Sequence, residues 1–313
     1  MDTHTERRAK EIFLYVKEHG IEKTRSDFNI SYETVTRNVR RYKQMLRQKN
    51  NPTEINFPKI LLLDIETLPM WIRVWGLYKQ RPGIKQIVKD WIVLSWAAKW
   101  LDGTQYMSDI LTPEETQKRD DRRICKSIWN LIDEADIIVA HNLQKFDIRK
   151  LNSRFMIHGF TPPSSYQMID TLIHSQKIAA HSSHKLDWLG QLVRNEGKLD
   201  TDYELWIKCE EGDIESLQYM ADYNKEDVGL LEEVYLWMRP WMQSHPNIGL
   251  YMDLKQSVCS HCGSIDLKND SYYYTPAGKY ATVRCNSCGA IGRYRTTALS
   301  LNESKLLTRS TAR

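Results

Sequence analysis

The chain has 313 residues, 41% of them hydrophobic and 27% charged, with a formal net charge of +4, enough length for more than one domain of about 100 to 200 residues. No apolar run approaches the roughly 20 residues that span a bilayer, and the first twenty residues are too charged for a secretory signal. A membrane-spanning chain is thereby excluded, and a cytoplasmic protein in a reducing compartment, with no membrane partner, is expected.

The charge is unevenly spread. Residues 1–50 carry 12 Lys/Arg against 7 Asp/Glu, residues 254–313 carry 9 against 3, and residues 51–253 carry 23 against 30. Basic flanks around an acidic centre suggest ends that attract a polyanion and a middle that holds cations.

In chain order, apolar residues first recur at helical spacing: Ile12, Phe13 and Val16, then Val35, Val39 and Tyr42. Gly20 punctuates the first helix and Ser31 is placed to cap a later one. The layout over residues 1–48 resembles a small all-α helix-turn-helix domain, whose second helix would show Arg37, Arg40 and Arg41 to a groove or to phosphates. Small three-helix units also dock proteins, so a protein partner is the competing role. A polar, Pro-punctuated linker is expected over residues 49–57. Beyond it "KILLLDI", "WIVLSWAAKW" and "ADIIVAHN" read as strands, "RRICKSIWNLIDEA" as an amphipathic helix, and residues 147–238 as mostly helical. Strands first and helices interleaved predict an α/β domain with a mixed sheet.

Near the end, Cys259 and Cys262 face Cys285 and Cys288 across a Tyr-rich stretch, two Cys-x-x-Cys knuckles of the kind that hold one structural zinc in a β ribbon over residues 255–296. Cys125 and Cys209 have no partner at such spacing and read as small core residues. Residues 297–313 are basic and aperiodic, and a disordered tail is expected.

The chemistry lies in the acids. Asp64 and Glu66 sit two apart at the end of an apolar strand, so their oxygens point to one face. Hard oxygen ligands suit Mg²⁺ or Mn²⁺, although a strand that ends in solvent would also tolerate acids. Asn142 and Asp147 follow the strand "IIVA", with Asp147 in the first turn of a helix, and Tyr223 and Asp227 lie one turn apart on a late helix.

Asp-x-Glu-Thr, then Asn-x-x-x-Phe-Asp, then Tyr-x-x-x-Asp, in that order, resemble the three motifs of the DEDD exonucleases of the tyrosine type, which include the proofreading domains of family B DNA polymerases. The flanking "VWGLY", "WAAKWLDG" and "HPNIGLY" resemble the YprB-like group, often carried by phages, which suggests a phage-encoded protein in a bacterial host. The likeness covers about residues 58 to 252. It implies a ribonuclease H-like mixed sheet flanked by helices and a metal-dependent 3′-5′ exonuclease acting on single-stranded or frayed 3′ ends. It further implies that Asp64, Glu66 and Asp227 would hold one Mg²⁺ or Mn²⁺, that Asp64 and Asp147 would serve a second, and that Tyr223 would orient the attacking water.

Weaker candidates for nucleic-acid contact are Leu68 and Trp75 after the first motif, Asn142, Lys185, and in the ribbon Arg293 and Arg295 among tyrosines. Asp170 reads as a strand-end cap, and His174, His181 and His184 as polar loop residues. Two other functions compete. A transposase-like or RNA-guided nuclease also joins such a core to a zinc ribbon, but favours an acid after the knuckles, where only Glu303 stands. A catalytically silent nucleic-acid-binding regulator would be expected to have lost a ligand, and none of the four acids is missing.

Overall fold

The computed structural model describes residues 4–30, 34, 35, 38, 42, 57–101, 103–194, 201–276 and 278–308. The chain divides into two compact units, Met1–Phe57 and Pro58–Arg313.

In the first unit, α1 (His4–His19) and α2 (Ile21–Phe28) meet at Gly20, whose φ of 80° suits a residue without a Cβ. Ala9, Ile12 and Val35 are buried, and the rings of Phe13 and Tyr42 lie 5.1 Å apart. The polar sequence IEKTRSDF gives little sign of α2, which ends where Asn29 turns left-handed. Arg37, Arg40 and Arg41, the cap Ser31 and most of the linker lie outside the described residues.

The second unit begins with β1 (Ile60–Leu68), followed by a short hairpin of β2 (Trp71–Ile72) and β3 (Ile87–Lys89), then β4 (Ile92–Trp100) and β5 (Tyr106–Ile110). After α3 (Pro113–Lys118) and α4 (Arg122–Glu134) come β6 (Ile137–Ala140), α5 (Asp147–Ile157) and β7 (Gln167–Asp170). The main sheet has the order β5-β4-β1-β6-β7. β4 is antiparallel to β1 and β5 to β4, whereas β6 and β7 run parallel to β1 and its neighbour. Parallel neighbours need crossovers, and α5 supplies the one between β6 and β7. Its inward face is Ile148, Leu151 and Phe155, as the spacing predicts.

The central position of β1 explains its composition: Leu61, Leu62 and Leu63 are fully buried, with a neighbour on each edge and helices above the sheet. Four further helices follow, α6 (Thr171–Ile178), α7 (Leu186–Arg194), α8 (Tyr203–Glu211) and α9 (Ile214–Met238), with α7 and α8 packed on α9. α9 packs on β1 and β4 through a stripe that includes Met220, Tyr223, Asn224, Asp227, Leu231 and Val234. α7 approaches it closely at Gly190, where a Cβ would stand 2.5 Å from Leu230 Cδ1. Cys125 and Cys209 are buried core residues, as expected.

One polar network is buried outside the acid motifs. Asp121 Oδ2 accepts from Arg154 Nε at 2.7 Å and from the Val93 N–H at 2.9 Å, and its Oδ1 accepts from Arg154 Nη2 at 2.7 Å and contacts His158 Nε2 at 2.6 Å. These bonds outweigh burial and hold the Asp121 carboxyl below the usual carboxylate range. Asp121, Cys125 and His158 are grouped as metal ligands would be, but the bidentate arginine already neutralises the acid, so the cluster ties α4, α5 and β4 together.

At the C-terminal end β8 (Leu267–Thr275), β9 (Gly278–Cys285) and β10 (Ile291–Arg293) form an antiparallel sheet in the order β10-β9-β8. It docks on the core beyond α9: the Ile248 N–H donates to the Ser260 carbonyl at 2.8 Å, His261 Nε2 reaches the Met242 carbonyl at 2.7 Å, and His261 stacks on His245 at 5.0 Å. The expected structureless tail is corrected at Leu301–Leu306, which forms α10 under a Ser300–Glu303 capping box. Among the described residues no helix is long and apolar enough to cross a membrane.

Candidate active site and metal centres

The two ends of the sequence pattern meet at the middle of the sheet. Asp64 and Glu66 project from β1, flanked by the buried Ile65 on the opposite face. Asp227 projects from α9, which lies across β1, and is 4% exposed. One carboxylate oxygen from each of Asp64, Glu66 and Asp227 falls within 4.8 Å of the others. Three negative charges at that spacing repel one another strongly in a half-buried site.

Asn224, which the sequence reading missed, fixes one of them. It is 1% exposed, donates from Nδ2 to Asp64 Oδ2 at 2.5 Å, and accepts at Oδ1 from Ser95 Oγ at 3.3 Å. Ser95 is paired with Glu66 across the β1–β4 ladder, so the chain Ser95–Asn224–Asp64 links strand, helix and acid.

Asp147 stands in the first turn of α5 and is 1% exposed. Its two carboxylate oxygens are buried with no hydrogen-bond partner among the described residues. Burial pushes the carboxyl up to about 8, and the charges of Asp170 and Glu66 add to the effect, while the nearby backbone N–H groups of Asp147 and Ile65 pull the other way. The turn that delivers it is pinned by Asp170, which accepts from the Asn142 N–H at 3.1 Å and the Gln144 N–H at 3.0 Å. Asp170 also caps α6 at Leu172 and Ile173, as expected of a strand-end cap. Asn142 takes a left-handed φ of 71° there, a conformation that asparagine tolerates better than most residues.

Tyr223 lies one turn before Asp227 on the same helix and is 7% exposed. Leu68 is a correction. Its place after the first motif makes it a candidate for base contact, but it ends β1 fully buried in the core, out of reach of a base. Trp75 is fully exposed, and Lys185 is exposed at the start of α7. Arg293 lies over Tyr273 at 5.5 Å and Tyr280 at 4.3 Å, with Arg295 exposed nearby in sequence. His174 is a buried residue of α6 rather than a loop residue, and His184 Nδ1 bonds Ser175 Oγ at 2.6 Å.

The four knuckle cysteines form the second centre. Cys259 and Cys288 sulfurs are 3.7 Å apart and Cys262 and Cys285 sulfurs 3.6 Å, and all four thiols are free. A disulfide would bring sulfurs to about 2.05 Å, whereas a tetrahedral zinc with bonds of about 2.3 Å spaces them about 3.8 Å apart. The cluster is compatible with a zinc ribbon.

A family model of the RNase_H superfamily matches residues 99–239. The match runs from the end of β4 through α9, so it contains Asp147, Tyr223 and Asp227 and stops short of Asp64 and Glu66. No curated protein matches the chain. The five-stranded mixed sheet, its flanking helices and the match together make the domain ribonuclease H-like, and a domain of this class supports a nuclease-type function on nucleic acid.

Proposed function

We propose that the protein is a metal-dependent 3′-5′ exonuclease that hydrolyses phosphodiester bonds of DNA or RNA, with the ribbon and the N-terminal unit as accessory nucleic-acid-binding parts. The observation that carries this reading is the convergence of Asp64, Glu66 and Asp227 within 4.8 Å beside a buried Asp147 whose oxygens have no hydrogen-bond partner among the described residues. An all-carboxylate set with buried acceptor oxygens fits hard divalent cations such as Mg²⁺ or Mn²⁺.

Asp64, Glu66 and Asp227 would hold the first ion, and Asp64 with Asp147 the second. When bound, such ions stabilise charge on the phosphoryl oxygens and lower the pKa of water enough to make it a nucleophile near neutral pH. The residues of the chain then have separable tasks. Asn224 holds Asp64 through its Oδ2, beside Glu66 and Asp227. Asp170 fixes the turn that presents Asp147. Tyr223 offers a hydroxyl suited to orienting a water rather than deprotonating it. The four cysteines would hold one structural zinc with no open position.

The test is digestion of 5′-labelled single- and double-stranded DNA and RNA with Mg²⁺ or Mn²⁺. Products that shorten stepwise from the 3′ end, absent with EDTA and in Asp227→Asn while binding persists, are expected. Internal fragments would instead indicate the transposase-like reading, and binding without any hydrolysis the silent regulator.

A further inference from the structure

The segment between β1 and β4 carries none of the carboxylates or thiols of the two centres. It leaves the sheet just past Glu66 and returns into β4, whose Ser95 pairs with Glu66. Its base is built. Arg119, ion-paired with Glu210, donates from Nη2 to the carbonyls of Pro69 at 2.8 Å and Asp90 at 2.6 Å, one at each end of the arm. Trp71 Nε1 donates to Glu210 Oε2 at 2.7 Å, and Lys89 caps the Trp71 ring at 3.9 Å. Gln86 closes the stem on Arg73, with its backbone carbonyl accepting from the Arg73 N–H at 2.9 Å and its Nε2 donating to the Arg73 carbonyl at 2.8 Å.

The tip is bare. Every residue from Arg73 to Lys85 is exposed, and Trp75 and Leu77 are 100% and 99% exposed, Ile84 87% and Tyr78 78%. Four large apolar side chains in water on one anchored arm mark a surface that meets a partner. Residues 69–90 carry five Lys/Arg against one Asp, and Lys79 lies 5.2 Å from the Tyr78 ring centroid. Aromatic faces interleaved with cations match bases and phosphates of a single strand.

We infer that this arm is a stacking clamp for single-stranded nucleic acid, holding the bases behind the terminal phosphodiester while the end lies at the acids. The inference rests on the exonuclease reading for the direction of the strand, but not for the contact itself. The arm springs from the end of β1, two residues past Glu66, and its base is held by Arg119 and Gln86.

The experiment uses the full-length protein and fluorescein-labelled 16-mers of thymidine and of uridine, with Ca²⁺ in place of Mg²⁺. Trp75→Ala/Tyr78→Ala is expected to weaken binding of the preferred 16-mer about ten- to a hundred-fold, and Trp75→Phe/Tyr78→Phe, which keeps the ring faces, to recover most of it. A 4-thiothymidine placed three positions from the 3′ end should crosslink within residues 73–85. Affinity unchanged within twofold for both strands, or crosslinks only elsewhere, would overturn the clamp and leave the exposed tip as a protein-docking surface. Hydrolysis of the p-nitrophenyl ester of thymidine monophosphate by the wild type tests the acid site separately, because that substrate has no second base for the arm to hold.

Discussion

Asp147→Asn is expected to lower hydrolysis at least a thousand-fold, and at the same time to make the metal-free protein harder to unfold. The first effect follows from charge. The amide keeps the shape of the side chain but removes the negative charge that would bind a divalent ion, and losing about 4 kcal/mol of transition-state stabilisation costs about three powers of ten. The second follows from the cost of the native site. The Asp147 oxygens are buried with no hydrogen-bond partner among the described residues, and the carboxyl is pushed up to about 8, against about 3.9 in the unfolded chain. Below about pH 4 both states hold the proton and nothing is lost. From about pH 4 to about pH 8 the unfolded chain releases it and the folded protein does not, so the wild type loses stability across that window. The neutral amide has no such loss. A gain of up to about 4 kcal/mol at pH 7, shrinking towards pH 4, is expected from urea unfolding in buffer free of divalent ions. A variant that is less stable than the wild type at pH 7, or that hydrolyses at the wild-type rate, would contradict the assignment.

Loss of zinc is expected to unfold the C-terminal sheet and leave the five-stranded sheet intact. The ribbon's buried cluster consists of Cys259, Cys285 and Ala290, with Cys262, Leu267 and Cys288 partly buried against it. Four of these six residues are the thiols themselves, so little apolar area remains to offset the entropy of ordering the strands. Structural zinc in small domains contributes roughly 10 to 16 kcal/mol, more than this cluster supplies by apolar burial. Metal analysis should find one zinc per chain. In Cys285→Ser, hydrogen exchange should lose protection in β8, β9 and β10 while β1 and β4 remain protected. Full protection of the ribbon in a protein without zinc would refute a structural role for the metal.

Much of the site is legible before folding because it interrupts patterns. Asp64 and Glu66 break an apolar strand, Tyr223 and Asp227 are one helical turn apart, and the cysteine pairs have ligand spacing. What stays hidden depends on registers and long-range contacts. Asn224 reads as an ordinary polar helix residue until α9 is laid on β1, where it becomes buried against Asp64, 160 residues away in sequence. Asp170 holds a turn 26 to 28 residues upstream, and Asp121 meets Arg154 33 residues on. Leu68 reads as a substrate contact from its position after the first motif, and its burial shows only once β1 is covered on both sides. The α10 helix was within reach, since Ser300-x-x-Glu303 is a capping-box signature, but six exposed residues add no apolar periodicity to confirm it.

If the protein works as proposed, Asp64, Glu66, Asp147 and Asp227 together grip divalent ions. The direct measurement is anomalous diffraction at the manganese edge from crystals of the protein grown with Mn²⁺. Two peaks ringed by these four carboxylates are predicted. A difference map without a peak among them, or with manganese bound only elsewhere, would contradict the account.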